Sequence, residues 1–314
     1  MIKALFTYDY GEEKMNQVRE LGYEVILRPE RGLVCDSEIE TAEVMVCYSP
    51  FETLDTRLMT RLKWIQLSSI GVDQVSKAAV QEKNVTVTNN RGGYSVPMGE
   101  WIVHKILEIY KQSRFFYQMQ QLRHWKLSTD ILELQDKRIG FIGTGTIAQE
   151  AAKRLKPFGV QMIGFNNSGR NVRPFDECFP VRMLDHWIHR FDILVIAVPS
   201  TESTYHLINR ARLRKMKDTA VLVNVSRGSV VDEKSLAEQL KEGRFLGIAL
   251  DVFESEPLPT DHPFWANERV LVTPHNSWVS EKRNDRRFEM ILENLKRYVD
   301  RQPLLNIVDL DRGY

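Results

Sequence analysis

Short apolar runs rich in β-branched residues alternate along this chain with polar segments whose hydrophobic positions recur every three or four residues. A run of this kind reads as a strand buried on both faces, and the helical segment after it returns the chain to start a parallel neighbour. The pattern therefore predicts an α/β fold with parallel sheets. A first series of strands is expected at 2–7, 23–27, 43–48, 63–68 and 85–88. After a helical stretch over 98–121, a second series follows at 138–142, 161–165, 192–198, 220–225, 245–250 and 270–273. The second series suggests a doubly wound dinucleotide domain. A final helix over 281–301 carries Phe288, Ile291, Leu292, Leu295, Tyr298 and Val299 at helical spacing and is expected to pack on the first series.

The totals narrow the function classes. A length of 314 residues fits two domains of ordinary size. Lys plus Arg (43) nearly cancels Asp plus Glu (42), so no net field draws the chain to nucleic acid or to an anionic membrane surface. The cysteines Cys35, Cys47 and Cys178 lack CxxC or zinc-ligand spacing, which argues against a disulfide framework and a metal site and fits a reducing compartment. Neither a signal-peptide core nor an apolar run of about 20 residues is present, so the expected location is the cytoplasm.

The segment RIGFIGTGTIAQEAAKRLKPFG reads as strand, glycine turn and helix. Gly143 allows the sharp turn, Gly145 leaves room for a pyrophosphate, and Ala148 permits close packing of helix on strand. The pyrophosphate would meet the free N–H groups of a helix starting near Thr146 and Ile147. About twenty residues on, where an NAD site carries a carboxylate for the ribose hydroxyls, the chain has Asn166, followed by Ser168 and Arg170. A 2′-phosphate pairs with arginine and is repelled by aspartate, so NADP(H) is the expected cofactor, with NAD(H) as the alternative.

Three further stretches, VLVNVSRGSVVDEKSL, IALDVFESEPLP and VLVTPHNSW, together with LKWIQLSSIGVDQV, cover nearly the whole length. On these motifs the chain resembles the D-isomer-specific 2-hydroxyacid dehydrogenases, with glyoxylate/hydroxypyruvate reductases and phosphoglycerate dehydrogenases among its relatives. The resemblance implies a Rossmann-type doubly wound sheet, residues 98–280, inserted in a smaller flavodoxin-like α/β substrate domain, residues 1–97 and 281–314. A hinge between them and a homodimer built through 98–134 are further implications. It assigns Arg227 to hold the substrate, Glu256 to assist, and His275 to donate and accept the proton. Ser69, Ile70 and Gly71 would present backbone N–H groups to the substrate carboxylate. Val198, Pro199, Val225, Asp251 and Ser277 would line the cofactor beside Arg227 and His275.

These assignments make chemical sense. Reduction of a ketone by hydride leaves an alkoxide that needs a proton, which imidazole supplies near neutral pH. A neighbouring carboxylate favours the charged ring, and a guanidinium grips a carboxylate through two N–H groups where lysine cannot. His104, His124, His186, His189, His206 and His262 are read as packed or surface residues, and Glu254 as solvent-facing. The expected activity is hydride transfer between NADP(H) and a small 2-keto or 2-hydroxy acid. The alternatives are an NAD-dependent phosphoglycerate dehydrogenase-like enzyme and a dinucleotide-sensing, corepressor-like scaffold; the chain lacks the long tail that the scaffold would use.

Overall fold

In a computed structural model that describes residues 1–75, 80 and 84–313, the chain forms two compact units. The first comprises Met1–Tyr94 and Ser280–Tyr314, and the second Ser95–Val279.

In the first unit, β1 (Ile2–Phe6), α1 (Glu12–Glu20), β2 (Tyr23–Leu27), β3 (Val44–Cys47), β4 (Trp64–Leu67) and β5 (Thr86–Thr88) build a five-stranded sheet in the order β2-β1-β3-β4-β5. Every pairing is parallel. This is the flavodoxin-like order. β3 and β4 are buried at every position, which is why they read as unbroken apolar runs. The C-terminal helix, Arg283–Val299, packs Phe288, Ile291 and Leu295 against Ala4, Phe6, Val44 and Trp64. Of the face expected from sequence, Val299 alone stands largely clear, at 38% exposed.

The second unit contains α2 (Ser95–Tyr110), α3 (Ser113–Gln121), β6 (Arg138–Ile142), α4 (Thr146–Leu155), β7 (Gln161–Asn166), β8 (Glu177–Pro180), α5 (Leu184–Trp187), β9 (Ile193–Ile196), α6 (Arg210–Lys215), β10 (Val221–Asn224), α7 (Glu233–Lys241), β11 (Gly247–Leu250) and β12 (Val270–Val272). Its seven-stranded sheet runs β12-β11-β10-β9-β6-β7-β8. All pairings are again parallel. The direction of winding reverses between β6 and β9, so a ligand crevice is expected at the carboxyl ends of those two strands. α2 lies close against α4: a Cβ on Gly99 would come within 2.9 Å of the Glu150 side chain. Ser95 also donates a 2.8 Å hydrogen bond to Thr146, so the second unit begins at that serine.

Two features depart from the sequence expectation. β8 adds a strand where none was expected, and the helix expected over 98–121 is two helices broken at Gln112, which takes a left-handed φ of 51°. Among the described residues no helix is long and apolar enough to cross a membrane.

Candidate active site

The glycine turn sits at the carboxyl end of β6, beside the switch point. Gly143 has φ of 95°, and a Cβ there would lie 2.3 Å from the Ala197 carbonyl oxygen, so a larger residue is excluded on both counts. Gly145 begins α4, and nothing stands within 4 Å of where its Cβ would be. The open space meets the unpaired N–H groups of the first turn, an arrangement that favours an anion. Ala148 is fully buried, while Thr146 and Ile147 are half-buried at the helix start. Nearby, Val225 is buried and Val198 half-buried, with Ser226 Oγ donating to the Val198 carbonyl. Pro199 is exposed. The Ser277 hydroxyl is buried without a hydrogen-bond partner. Open space at Gly145 and an orphan hydroxyl at Ser277 fit a dinucleotide as the missing group.

Three loops leaving adjacent strands carry Arg227, Glu256 and His275. Arg227 follows β10, in a turn closed by Asn224, whose Nδ2 donates to the Arg227 carbonyl at 3.0 Å and whose Oδ1 accepts from Ser226 N at 3.0 Å. The Arg227 guanidinium donates to the Ser226 carbonyl at 2.9 Å. Glu256 lies beyond β11 and folds back so that its Oε1 accepts from Phe253 N at 3.0 Å. Its Oε2 lies 2.8 Å from Nδ1 of His275, which follows β12. The His275 backbone has φ of 49°, a conformation uncommon outside glycine and asparagine, and its N–H reaches the carbonyls of Asp251 and Thr273 at 2.8 and 3.0 Å. Trp278 Nε1 donates to the His275 carbonyl at 2.7 Å.

Asp251 is fully buried and organises this turn. Its carboxylate accepts from Thr273 Oγ1 at 2.7 Å, Asn276 N at 2.9 Å and Ser277 N at 3.0 Å. The three acceptor bonds lock the backbone on which His275 stands. With Nδ1 engaged by Glu256, Nε2 has no hydrogen-bond partner among the described residues, and side-chain exposures of 39% and 37% for His275 and Glu256 keep the pair open to solvent.

At the end of β7, the Asn166 side chain shapes its own loop: Oδ1 accepts from Gly169 N at 2.7 Å and Ser168 Oγ at 3.2 Å, and Nδ2 donates to the Arg170 carbonyl at 2.9 Å. Arg170 is exposed, with no carboxylate at ion-pair distance among the described residues. In the first unit, the loop after β4 is pinned by Asn90 N to the Ser69 carbonyl at 2.8 Å and by Asn89 Nδ2 to the Ile70 carbonyl at 2.9 Å. Ser69 Oγ donates to the Gly71 carbonyl at 2.8 Å. These bonds use the loop's carbonyls, and among the described residues the N–H groups of Ser69, Ile70 and Gly71 find no partner.

The model of the family described as D-isomer specific 2-hydroxyacid dehydrogenase, NAD binding domain, matches residues 103–277. The chain belongs to this family. It is an oxidoreductase that uses a nicotinamide dinucleotide and acts on a hydroxy acid. A glyoxylate reductase of Thermofilum pendens is 35% identical over 240 residues, 74% of this chain and 71% of that protein. A hydroxypyruvate reductase of Thermotoga maritima is 30% identical over 269 residues, 80% of this chain and 86% of the relative. Among solved structures, a D-isomer specific 2-hydroxyacid dehydrogenase from Xanthobacter autotrophicus Py2, in complex with NADPH and MES, aligns with a TM-score of 0.85 at 27% identity, over 99% of both chains.

The dehydrogenase also contains a group that reading the sequence overlooked. Glu233, the first residue of α7, is 8% exposed and accepts a 2.6 Å hydrogen bond from Glu254 N. Glu254, expected to face solvent, does keep an exposed side chain, but its Oε1 is engaged by His206 Nε2 at 2.9 Å and by Glu233 N at 3.3 Å. Burial pushes the Glu233 carboxyl up to about 7, with the charges of Glu254 and Glu256 adding to the effect. The only sequence signal was an acidic residue after the N-cap Asp232, which reads as an ordinary first-turn charge.

Proposed function

We propose that this dehydrogenase reduces a small 2-keto acid, of the glyoxylate or hydroxypyruvate kind, to the D-2-hydroxy acid with NADP(H). The observation that carries the reading is the 2.8 Å contact of Glu256 Oε2 with His275 Nδ1, which orients the ring and leaves Nε2 as the nitrogen that can pass a proton. Bound nicotinamide supplies the hydride. His275 gives a proton from Nε2 to the developing alkoxide, and Glu256 holds the ring in place through Nδ1. Arg227 pairs with the substrate carboxylate and polarises the keto oxygen. In the first unit, the N–H groups of Ser69, Ile70 and Gly71 are read as carboxylate-binding groups.

For the cofactor, Gly143, Gly145, Thr146 and Ile147 receive the pyrophosphate. Val198, Pro199, Val225 and Ser277 line its nicotinamide side, with the buried Asp251 holding the turn behind them, and Asn166, Ser168 and Arg170 take the adenosine ribose and its 2′-phosphate. Support comes from the relatives named as glyoxylate and hydroxypyruvate reductases and from the NADPH-bound Xanthobacter structure. The location is read as cytoplasmic and the working form as a homodimer. Replacing His275 by Gln is expected to lower kcat in reduction by about 10² to 10⁴, the usual contribution of general acid catalysis, with the fold retained by circular dichroism. A kcat within a few-fold of the parent would remove His275 from this role.

A further inference from the structure

The loop that carries Glu256 is clamped from two sides. On one side lies the turn after Arg227: a Cβ on Gly228 would fall 1.8 Å from the Phe253 carbonyl carbon and 2.1 Å from Glu254 N, so the two backbones touch. On the other side lies the first turn of α7. Its N-cap Asp232 accepts from Ser235 N at 2.9 Å and Ser235 Oγ at 2.6 Å, which fixes the helix start and with it Glu233. Glu233 and Glu254 then exchange bonds: Glu254 N donates to Glu233 Oε1 at 2.6 Å, and Glu233 N donates to Glu254 Oε1 at 3.3 Å. Two residues further on stands Glu256, holding His275.

We propose that Glu233 is a positioning residue for the Glu256–His275 pair, and that its charge state sets how tightly the loop 253–256 is held. A carboxylate accepts from a backbone N–H about twice as strongly as a neutral carboxyl does, so ionised Glu233 grips Glu254 N and the protonated form loosens it. The inference rests on the roles given above to Glu256 and His275.

The surroundings keep the carboxyl near neutrality in titration. Glu254 and Glu256 face it from the loop after β11 and oppose its ionisation, as does burial, while His206, from the segment after β9, favours it. His262 Nε2 stands 3.9 Å from Glu233 Oε2. On its own helix, Asp232 precedes it and Lys234 and Glu238 follow. A cleft of about 470 Å³, lined by Glu233, Lys234, Glu254, Leu258, Pro259 and His262, gives solvent protons a path to the group.

The test is the pH dependence of kcat for reduction, from pH 5.5 to 9, in the parent and in Glu233→Gln. The glutamine keeps a neutral acceptor for Glu254 N and leaves His206, His262 and His275 unchanged. In the parent an acid limb with a midpoint near pH 7 is expected. In the variant that limb should vanish, and kcat at pH 8 should fall by about tenfold, the factor for exchanging a charge-assisted hydrogen bond for a neutral one, with little change in KM. Superimposable profiles would overturn the inference, while an inactive His275→Gln beside them would leave the proton-donor assignment standing. Should Glu233→Gln not fold, the Glu254 amide resonance of the parent, in a His206→Gln, His262→Gln background, takes its place. A shift with a midpoint near pH 7 supports the inference, and an amide that does not titrate overturns it.

Discussion

Arg170 is an exposed cation on a loop whose polar groups are already matched to one another, because Asn166 ties down Ser168, Gly169 and the Arg170 carbonyl. Its guanidinium therefore has no local role to lose. If it pairs with a 2′-phosphate, Arg170→Ala removes a charge-assisted contact and should weaken NADPH about tenfold or more while leaving NADH within about twofold, as read by fluorescence titration. Equal weakening of both nucleotides would show that the arginine recognises nothing specific to NADPH. At this scale the sequence was informative where a residue type is tied to one local geometry. Gly143 is required by its φ and by the Ala197 carbonyl, and a strand-turn-helix string is enough to see it. Glu233 and Asp251 were less legible, since their importance comes from Glu254, Thr273, Asn276 and Ser277, partners that only the folded chain brings near.

At the scale of elements, strands buried on both faces announce themselves as apolar runs, and β9, β10 and β11 were legible for that reason. β8 was not. It is an edge strand of sequence ECFP in which Cys178 alone is buried, so it has neither an apolar run nor a clear alternation, and it is defined by pairing with β7. The break between α2 and α3 has a similar origin: Gln112 is held by Ser128 Oγ at 2.8 Å and by the Asp130 carbonyl at 3.0 Å, contacts that no local propensity encodes. The apolar residues of this region divide into two groups. Ile102 and Ile106 are fully buried in their own unit and serve the core, not an interface. By contrast, α3 buries none of its residues, and the segment around it leaves Tyr117, Leu122, Trp125 and Leu127 exposed, Trp125 completely. Such a patch calls for a partner, and a second copy of the chain is the one proposed. Trp125→Ser with Leu127→Ser should convert a dimer to a folded monomer in sedimentation velocity at micromolar concentration; a parent chain that is already monomeric would exclude that use of the segment.

At the scale of the whole molecule, the chain builds two parallel sheets and passes from one unit to the other twice, at Tyr94–Ser95 and Val279–Ser280. The glycine turn, the loop of Asn166 and Arg170 and the Arg227, Glu256 and His275 loops all belong to the second unit, so the proposed cofactor features and the proposed acid–base pair are fixed by one sheet. The loop of Ser69, Ile70 and Gly71 belongs to the other. Family membership sets the reaction class, and the remaining choice is among acids and between nucleotides. The most direct measurement is the initial rate of NADPH and of NADH oxidation, at matched concentrations, with glyoxylate, hydroxypyruvate, pyruvate and branched or aromatic 2-keto acids. Turnover of the small acids with NADPH clearly preferred is the expected result; faster turnover with NADH, or none with any 2-keto acid, would contradict it.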